Sequence, residues 1–308
     1  MTLADAQRLP VWRRPESLLF LMAFAMPIAF ATWSALLNNF VIEAAQFSGV
    51  EIGWLHTVRE IPGLLAIGVI FLILLMREQV LGVVSLGLLG VATAVTAWFP
   101  SFGGMLLVTL LSSIGFHYYE TVNQSLQLQW IDKKRAPQVL GWLVGIGSGA
   151  SLLAYGAIVL LWDRLNLSYD TVYLVSGGIT AAIAVFCYFA YPQFEGPHVQ
   201  HKHMVLRKRY WLFYALQFMA GARRQIFVVF AGFMMVERFG MKVSEMTMLL
   251  LLNYVLQMVA APVMGRALGK FGERNVMAFE YVGLTLVFLA YGGLYWFGWG
   301  LVLSLIHI

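Results

Sequence analysis

Charge is scarce in this chain. Of its 308 residues, 11% are Asp, Glu, Lys or Arg, whereas soluble domains run near a quarter. Cysteine is almost missing: Cys187 stands alone inside an apolar run, which excludes a disulfide framework. There is no P-loop, no G-x-S-x-G and no H-E-x-x-H, so the common nucleotide, hydrolase and zinc-peptidase signatures are lacking. The histidines of the central loop, His198, His201 and His203, have metal-like spacing but no cysteine or carboxylate at matching spacing. Neither a metal nor another cofactor is expected.

What is present in excess is apolar surface. Hydrophobic residues make up 60% of the chain, and the mean hydropathy is +0.78. One soluble core of this size cannot hide so much, and a bilayer is the solvent that suits it. A crossing needs about 20 mostly apolar residues. Candidate spans cover 17–40, 53–76, 80–99, 103–127, 138–162, 169–191, 210–236, 244–264 and 275–297, and a tenth begins near Gly298. The fold expected is an all-α polytopic membrane bundle with about nine complete transmembrane helices and the start of a tenth. The first apolar run is too long for a signal-peptide core and is read as a permanent span. Trp98, Trp162, Tyr210, Trp211 and Trp296 near span ends fit aromatic belts.

The connections are short except for the polar, basic stretch 192–209. It divides the chain into an N-terminal six-helix half (1–195), a basic linker (196–209) and an incomplete second half (210–308). The net charge of +5 does not mark a nucleic-acid binder, because its distribution follows the loops. With the N-terminus in the cytoplasm, inner segments carry 14 of the Lys and Arg residues and outer loops carry 3, Arg164, Arg238 and Lys242. Arg59, Arg223 and Arg224 fall within spans. That asymmetry predicts a multi-pass protein of the inner (plasma) membrane with a cytoplasmic N-terminus. The last six residues, Leu303-Ser-Leu-Ile-His-Ile308, read like the translated end of a sequencing-library adapter. The expectation is a reading frame that ran off a DNA fragment; the alternative is an ordinary apolar helix start.

Ionisable groups inside a span are costly, about 2.5–3.5 kcal/mol or more at the centre, so they face a cavity or pair up. Span four carries Ser113, His117, Glu120, Gln124 and Gln127, spaced to share one helical face. A carboxylate in a low-dielectric site and a histidine both titrate near neutral pH, so Glu120 and His117 are the candidates for moving protons. The alternative is a helix-packing network. Span seven places Arg223 and Arg224 near mid-membrane, with Tyr214, Gln217, Gly221 and Arg224 on one face. One arginine is positioned for an anionic solute while the other pairs with a carboxylate, unless both are structural ion-pair partners. Span two contributes His56, Arg59 and Glu60 as an outer gate or cavity wall, or Arg59 snorkels outward. Span eight offers Asn253 and Gln257 on one face. Ser34 and Asn38 on span one, and Ser148, Ser151 and Tyr155 on span five, are the kind of groups that bond helices together.

Six spans, a basic loop and a second set of spans resemble the plan of the major facilitator superfamily. The loop after span eight, Gly265-Arg-Ala-Leu-Gly-Lys270-Phe-Gly272-Glu273-Arg274, is similar to that family's G-x-x-x-D-R/K-x-G-R/E-R/K loop, with Gly269 at the acidic position. The equivalent loop after span two, Met76-Arg77-Glu78-Gln79, keeps almost nothing of the pattern. His117-Tyr-Tyr-Glu120-Thr121 sits where many members have R-x-x-Q-G, and Lys134-Arg135-Ala-Pro-Gln-Val-Leu-Gly141 resembles the family's basic loop between helices four and five. The resemblance implies alternating access by two rocking halves and a secondary transporter driven by an ion gradient, its partners being a small-molecule substrate, protons and the lipid bilayer. Two alternatives are a membrane-embedded enzyme acting on a lipid-linked substrate, with His117 and Glu120 as acid and base, and a receptor with a transporter fold.

Overall fold

The computed structural model describes residues 1–196, 207–226 and 231–297. Its helices, in chain order, are α1 (Leu3–Ala6), α2 (Pro15–Glu43), α3 (Gly49–Leu64), α4 (Val69–Leu75), α5 (Glu78–Val95), α6 (Phe102–Trp130), α7 (Ala136–Leu161), α8 (Tyr169–Ala190), α9 (Trp211–Ile226), α10 (Gly232–Phe239), α11 (Val243–Phe271) and α12 (Glu273–Phe297). No β-strand occurs among the described residues; an isolated bridge joins Thr2 to Glu195. In lipid every backbone group must find a partner within its own segment, which leaves the helix as the element an apolar run can adopt.

Among the described residues, α2, α5, α6, α7 and α8 are each long and apolar enough to cross a bilayer. The pair α3 and α4 makes a sixth crossing if counted as one broken span. These are the first six of the nine expected spans. The stretches expected as spans seven to nine hold α9 to α12, with residues 227–230 outside the described set. The helix starts follow local chemistry. Pro15 opens α2, and Ser101 and Ser168 accept backbone N–H groups at the starts of α6 and α8. Ser48 and Glu51 form a capping box on α3.

Span two departs from expectation. Hydropathy predicts one helix over 53–76, but a 3-10 turn at Leu65–Gly68 breaks it, and the two segments bend by 57°. Pro62 removes an amide from the helical ladder, and Gly63 and Gly68 beside it lower the resistance to bending.

Packing separates Met1–Met246 from Thr247–Ile308. In the first unit α5 lies against α6 and α8, α2 against α7 and α8, and α3 against α6. Small residues let these helices touch backbone to backbone. A Cβ on Gly90 of α5 would stand 2.5 Å from the Ala181 nitrogen of α8, and one on Gly177 of α8 would stand 2.4 Å from the Gly90 oxygen. In a bilayer, where burial of apolar surface drives little association between helices, such close van der Waals contact holds the bundle. The core gathers Leu18, Met22, Leu86, Leu89, Tyr119, Val122, Leu126 and Cys187. Leu107, Leu128, Val144, Leu153, Val175 and Phe189 are exposed, as lipid-facing side chains should be.

Side-chain bonds tie the helix ends into two opposite sets. At one end, Arg13 donates to the Ala190 carbonyl and the Tyr191 hydroxyl to the Trp12 carbonyl. Arg135 pairs with Glu16 at 2.8 Å, and the Gln129 amide and Ser125 hydroxyl donate to Glu78. Gln79, 4% exposed, donates to the Pro192 carbonyl and accepts from the Phe194 amide. The Met1 ammonium donates to the Gln193 carbonyl. At the other end the Tyr169 hydroxyl donates to Glu43, Phe47 packs edge-on against Phe102, and Asn39 donates to the Met241 carbonyl. The basic residues Arg13, Arg14, Arg77 and Arg135 therefore share an end. Lys242, which follows Met241, belongs to the other, as the loop alternation requires.

In the second unit, α11 and α12 are joined at Gly272, whose φ of +76° lies in the left-handed region. Glycine occupies that conformation without Cβ strain, which ends α11 sharply. The Asn275 side chain donates back to the Phe271 carbonyl.

Candidate functional site

The bend in span two and the polar face of span four meet. The Ser113 hydroxyl of α6 donates to the backbone carbonyl of Arg59 on α3. One turn further along α6, the imidazole of His117 lies against Gly63, where a Cβ would come within 2.9 Å of the ring. Tyr118 follows, its hydroxyl 3.7 Å from where a Gly68 Cβ would be. The polar face of α6 is thus seated on the broken stretch of span two. Two residues expected in separate roles, His117 for protons and Arg59 for a gate, belong to one cluster.

Arg59 and Glu60 form an ion pair at 3.4 Å, with Arg59 13% exposed and Glu60 43% exposed. Adjacency in sequence does not guarantee such a pair on a helix, where neighbours point about 100° apart; here the long side chains bridge the gap. The guanidinium also lies over two rings of α2, 4.8 Å from the centre of Trp33 and 5.6 Å from Phe30. Phe30 in turn stacks on Phe116 of α6 at 4.8 Å, and Trp33 meets His56 edge-on. Arg59 therefore does not snorkel to the interface; ring faces and a carboxylate compensate its charge inside the bundle. Both Arg59 and Glu60 fall within electrostatic reach of His117.

Phe30, Trp33, Arg59, Leu89, Thr109, Ser112, Ser113 and Phe116 enclose a recess with room for roughly one water molecule. Thr109 is 2% exposed and its hydroxyl has no hydrogen-bond partner among the described residues; the Nδ1 atom of His56 and the Nε2 atom of His117 are in the same condition. A buried, unsatisfied hydroxyl or imidazole nitrogen is expensive, which makes this part of the bundle polar out of proportion to its size.

The other expected residues fall as follows. Glu120 is half-buried on α6, Gln127 likewise, and Gln124 is exposed. Gln217, Arg223 and Arg224 lie along α9, but their side chains are outside the described set, as are the side chain of Gln257 and the surroundings of Gly265 on α11. Asn253 is half-buried on α11. Lys270 places its ammonium 5.2 Å from the Phe271 ring, Gly272 makes the turn described above, and Arg274 is exposed at the start of α12. The central-loop histidines lie outside the described residues, and among the described ones no cluster of His, Cys, Asp or Glu could hold a metal ion.

The aromatic and hydroxyl members Phe30, Trp33, Thr109, Ser112 and Phe116 did not stand out in the sequence. A signal existed: Thr109, Ser112 or Ser113, and Phe116 or His117 recur at helical spacing, so the polar face of span four extends one turn before Ser113.

A bundle of apolar helices with ionisable residues turned inward is that of an integral membrane protein. The family model of the Major Facilitator Superfamily matches residues 18–307, and the chain belongs to that superfamily. Among solved structures it is similar to the nucleoside transporter NupG, at 16% identity and a TM-score of 0.66, over 89% of this chain and 72% of that one. It is also similar to a bacterial homolog of the human lysosomal transporter Spinster, captured inward-facing and unoccupied, at 14% identity and a TM-score of 0.62, over 95% of this chain and 71% of that one. No curated protein matches the sequence. At these identities the solved structures speak for the fold; together with the family they make this a transporter rather than an enzyme.

Proposed function

We propose that the protein is a proton-coupled secondary transporter that moves a small anionic solute across the cytoplasmic membrane by alternating access. One observation carries the coupling: His117, on the same face of α6 as Glu120, rests against Gly63 where span two bends. A proton arriving at this group changes a charge at the point where the span is least regular. Rocking of two halves needs a place where a small electrostatic change is converted into a change of shape.

In this reading Glu120 and His117 carry the proton, Arg59 and Glu60 wall the cavity, and Gln124, Gln217, Asn253 and Gln257 line the path. Arg224 or Arg223 offers the anion contact from the second half. Residues 196–209 link the halves, and the Gly265, Lys270, Gly272 and Arg274 motif, which spans the end of α11 and the start of α12, is assigned to the cytoplasmic side by its basic residues. The test is counterflow in liposomes with a panel of metabolites, followed by uptake driven by a pH gradient. Glu120→Gln in the native gene product should abolish pH-driven uptake; transport unchanged by it would reject the coupling role.

A further inference from the structure

The recess between α2, α3, α5 and α6 has the makings of a ligand site. It has three aromatic walls, Phe30, Trp33 and Phe116, one arginine, and hydroxyls from Thr109, Ser112 and Ser113. Two features bear on what it could hold. The Thr109 hydroxyl is buried and without a partner although it borders the recess, so a polar group there is provided for and not filled by the described residues. The charged pair is also a loose one: 3.4 Å separates Arg59 from Glu60, whereas a charge-assisted N–H to carboxylate bond closes to about 2.8 Å. Glu60 is the more exposed partner of the two. Arg59 meanwhile covers one face of Trp33, and moving it would open that face.

We infer that this recess is the closed form of a site for a planar aromatic carboxylate; the inference rests on the transporter reading above, names its substrate class, and gives Arg59 of the cavity wall an anion contact in addition to that of the α9 arginines. The ligand carboxylate replaces that of Glu60 at the planar guanidinium of Arg59, which suits bidentate contact. The ring takes the place of the guanidinium against Trp33 and the Phe30–Phe116 stack, exchanging a cation–π contact for an aromatic one. Thr109 and Ser112 meet a polar edge of the ligand. An aliphatic anion satisfies only the arginine, and a neutral ring only the walls, so the site discriminates against both.

The test is binding to the purified native gene product in detergent, by calorimetry and tryptophan fluorescence, with benzoate, acetate and benzyl alcohol as probes. Benzoate is expected to bind at least about tenfold more tightly than either of the others, tenfold being the step a single good interaction supplies. Arg59→Lys, which keeps the charge and loses the fork, should weaken benzoate by about tenfold. Since that variant also disturbs packing, Glu60→Gln provides the opposite arm: it removes the competing carboxylate and should tighten benzoate severalfold. Equal binding of acetate and benzoate, or weaker benzoate binding in Glu60→Gln, would overturn the inference. The two readings fail separately. Discrimination lost while Glu120→Gln still abolishes pH-driven uptake removes this site and leaves the carrier. Discrimination kept while uptake ignores Glu120→Gln leaves the site and removes the proton coupling.

Discussion

Gly177 and Gly178 are neighbours on α8 and should respond oppositely to the same added methyl group. A Cβ at Gly177 would lie 2.3 Å from the Ala94 nitrogen and 2.4 Å from the Gly90 oxygen, where ordinary contact begins at 3.4 Å. All of these are backbone atoms of α5, so no side chain can swing aside, and the helices must part by about 1 Å. A gap of that order forfeits between a quarter and a half of each contact it opens, and overpacking of this kind costs about 1–3 kcal/mol. A Cβ at Gly178 meets nothing within 4 Å. There the substitution only relieves the helix of glycine's conformational freedom, a gain of up to about 1 kcal/mol. That gain applies to both variants, so Gly177→Ala should be less stable than Gly178→Ala by about 1–3 kcal/mol. Thermal unfolding in a mild detergent, followed by tryptophan fluorescence, would show the gap as a difference of several degrees. Equal midpoints for the two variants would refute the backbone-to-backbone packing of α5 and α8.

Gln79→Leu should leave the part-buried Pro192 carbonyl and the buried Phe194 amide unpaired, at about 1–3 kcal/mol for the amide and less for the carbonyl; the amides of 193–196 should then exchange hydrogen faster, and unchanged exchange would show that Gln79 does not anchor this segment. Glu16→Gln breaks a half-exposed pair with Arg135 and should cost no more than about 1 kcal/mol, less in high salt; denaturation at two ionic strengths checks it. Gly63→Val pushes a branched side chain into the His117 ring. It should lower pH-driven uptake while the protein still elutes as a monodisperse species, and full uptake would separate His117 from the bend. Reporter fusions at the N-terminus and after Arg164 should report cytoplasm and exterior respectively; the reverse pattern would invert the proposed orientation.

The membrane-bound nature of the chain, its helical class and the placement of its first crossings were legible from the sequence because each is a local property. Twenty consecutive apolar residues cannot be hidden in water, and in lipid they have no partner for their backbone except themselves. The alternation of basic loops was legible for a related reason. A short loop has two places to be, and each helix between loops changes it from one to the other; the bonds of Arg13 to Ala190 and of Asn39 to Met241 lie at opposite ends of α2. The glycine-rich stretch 265–274 reads as a loop, but α11 runs on through Phe271 and α12 starts at Glu273, so the turn is Gly272 alone, in the left-handed conformation that suits glycine.

What required the tertiary structure was every feature that depends on which helices are neighbours. Pro62 was visible in span two, but proline inside a membrane helix is often absorbed without a break, so the 57° bend could not be read from that residue alone. Glu78 and Gln79 looked like the remnant of a degraded family motif. They tie α6 and the start of the linker to α5 through partners 47 to 115 positions away. Arg59 and His117 were assigned to different jobs because spans two and four are separated in sequence. The packing of α3 on α6 puts them in one cluster, with Trp33 and Phe30 of α2 supplying the ring faces that let an arginine stay inside. Hydropathy and charge act along the chain and can be read there, whereas a binding site is a coincidence of distant residues that packing alone decides.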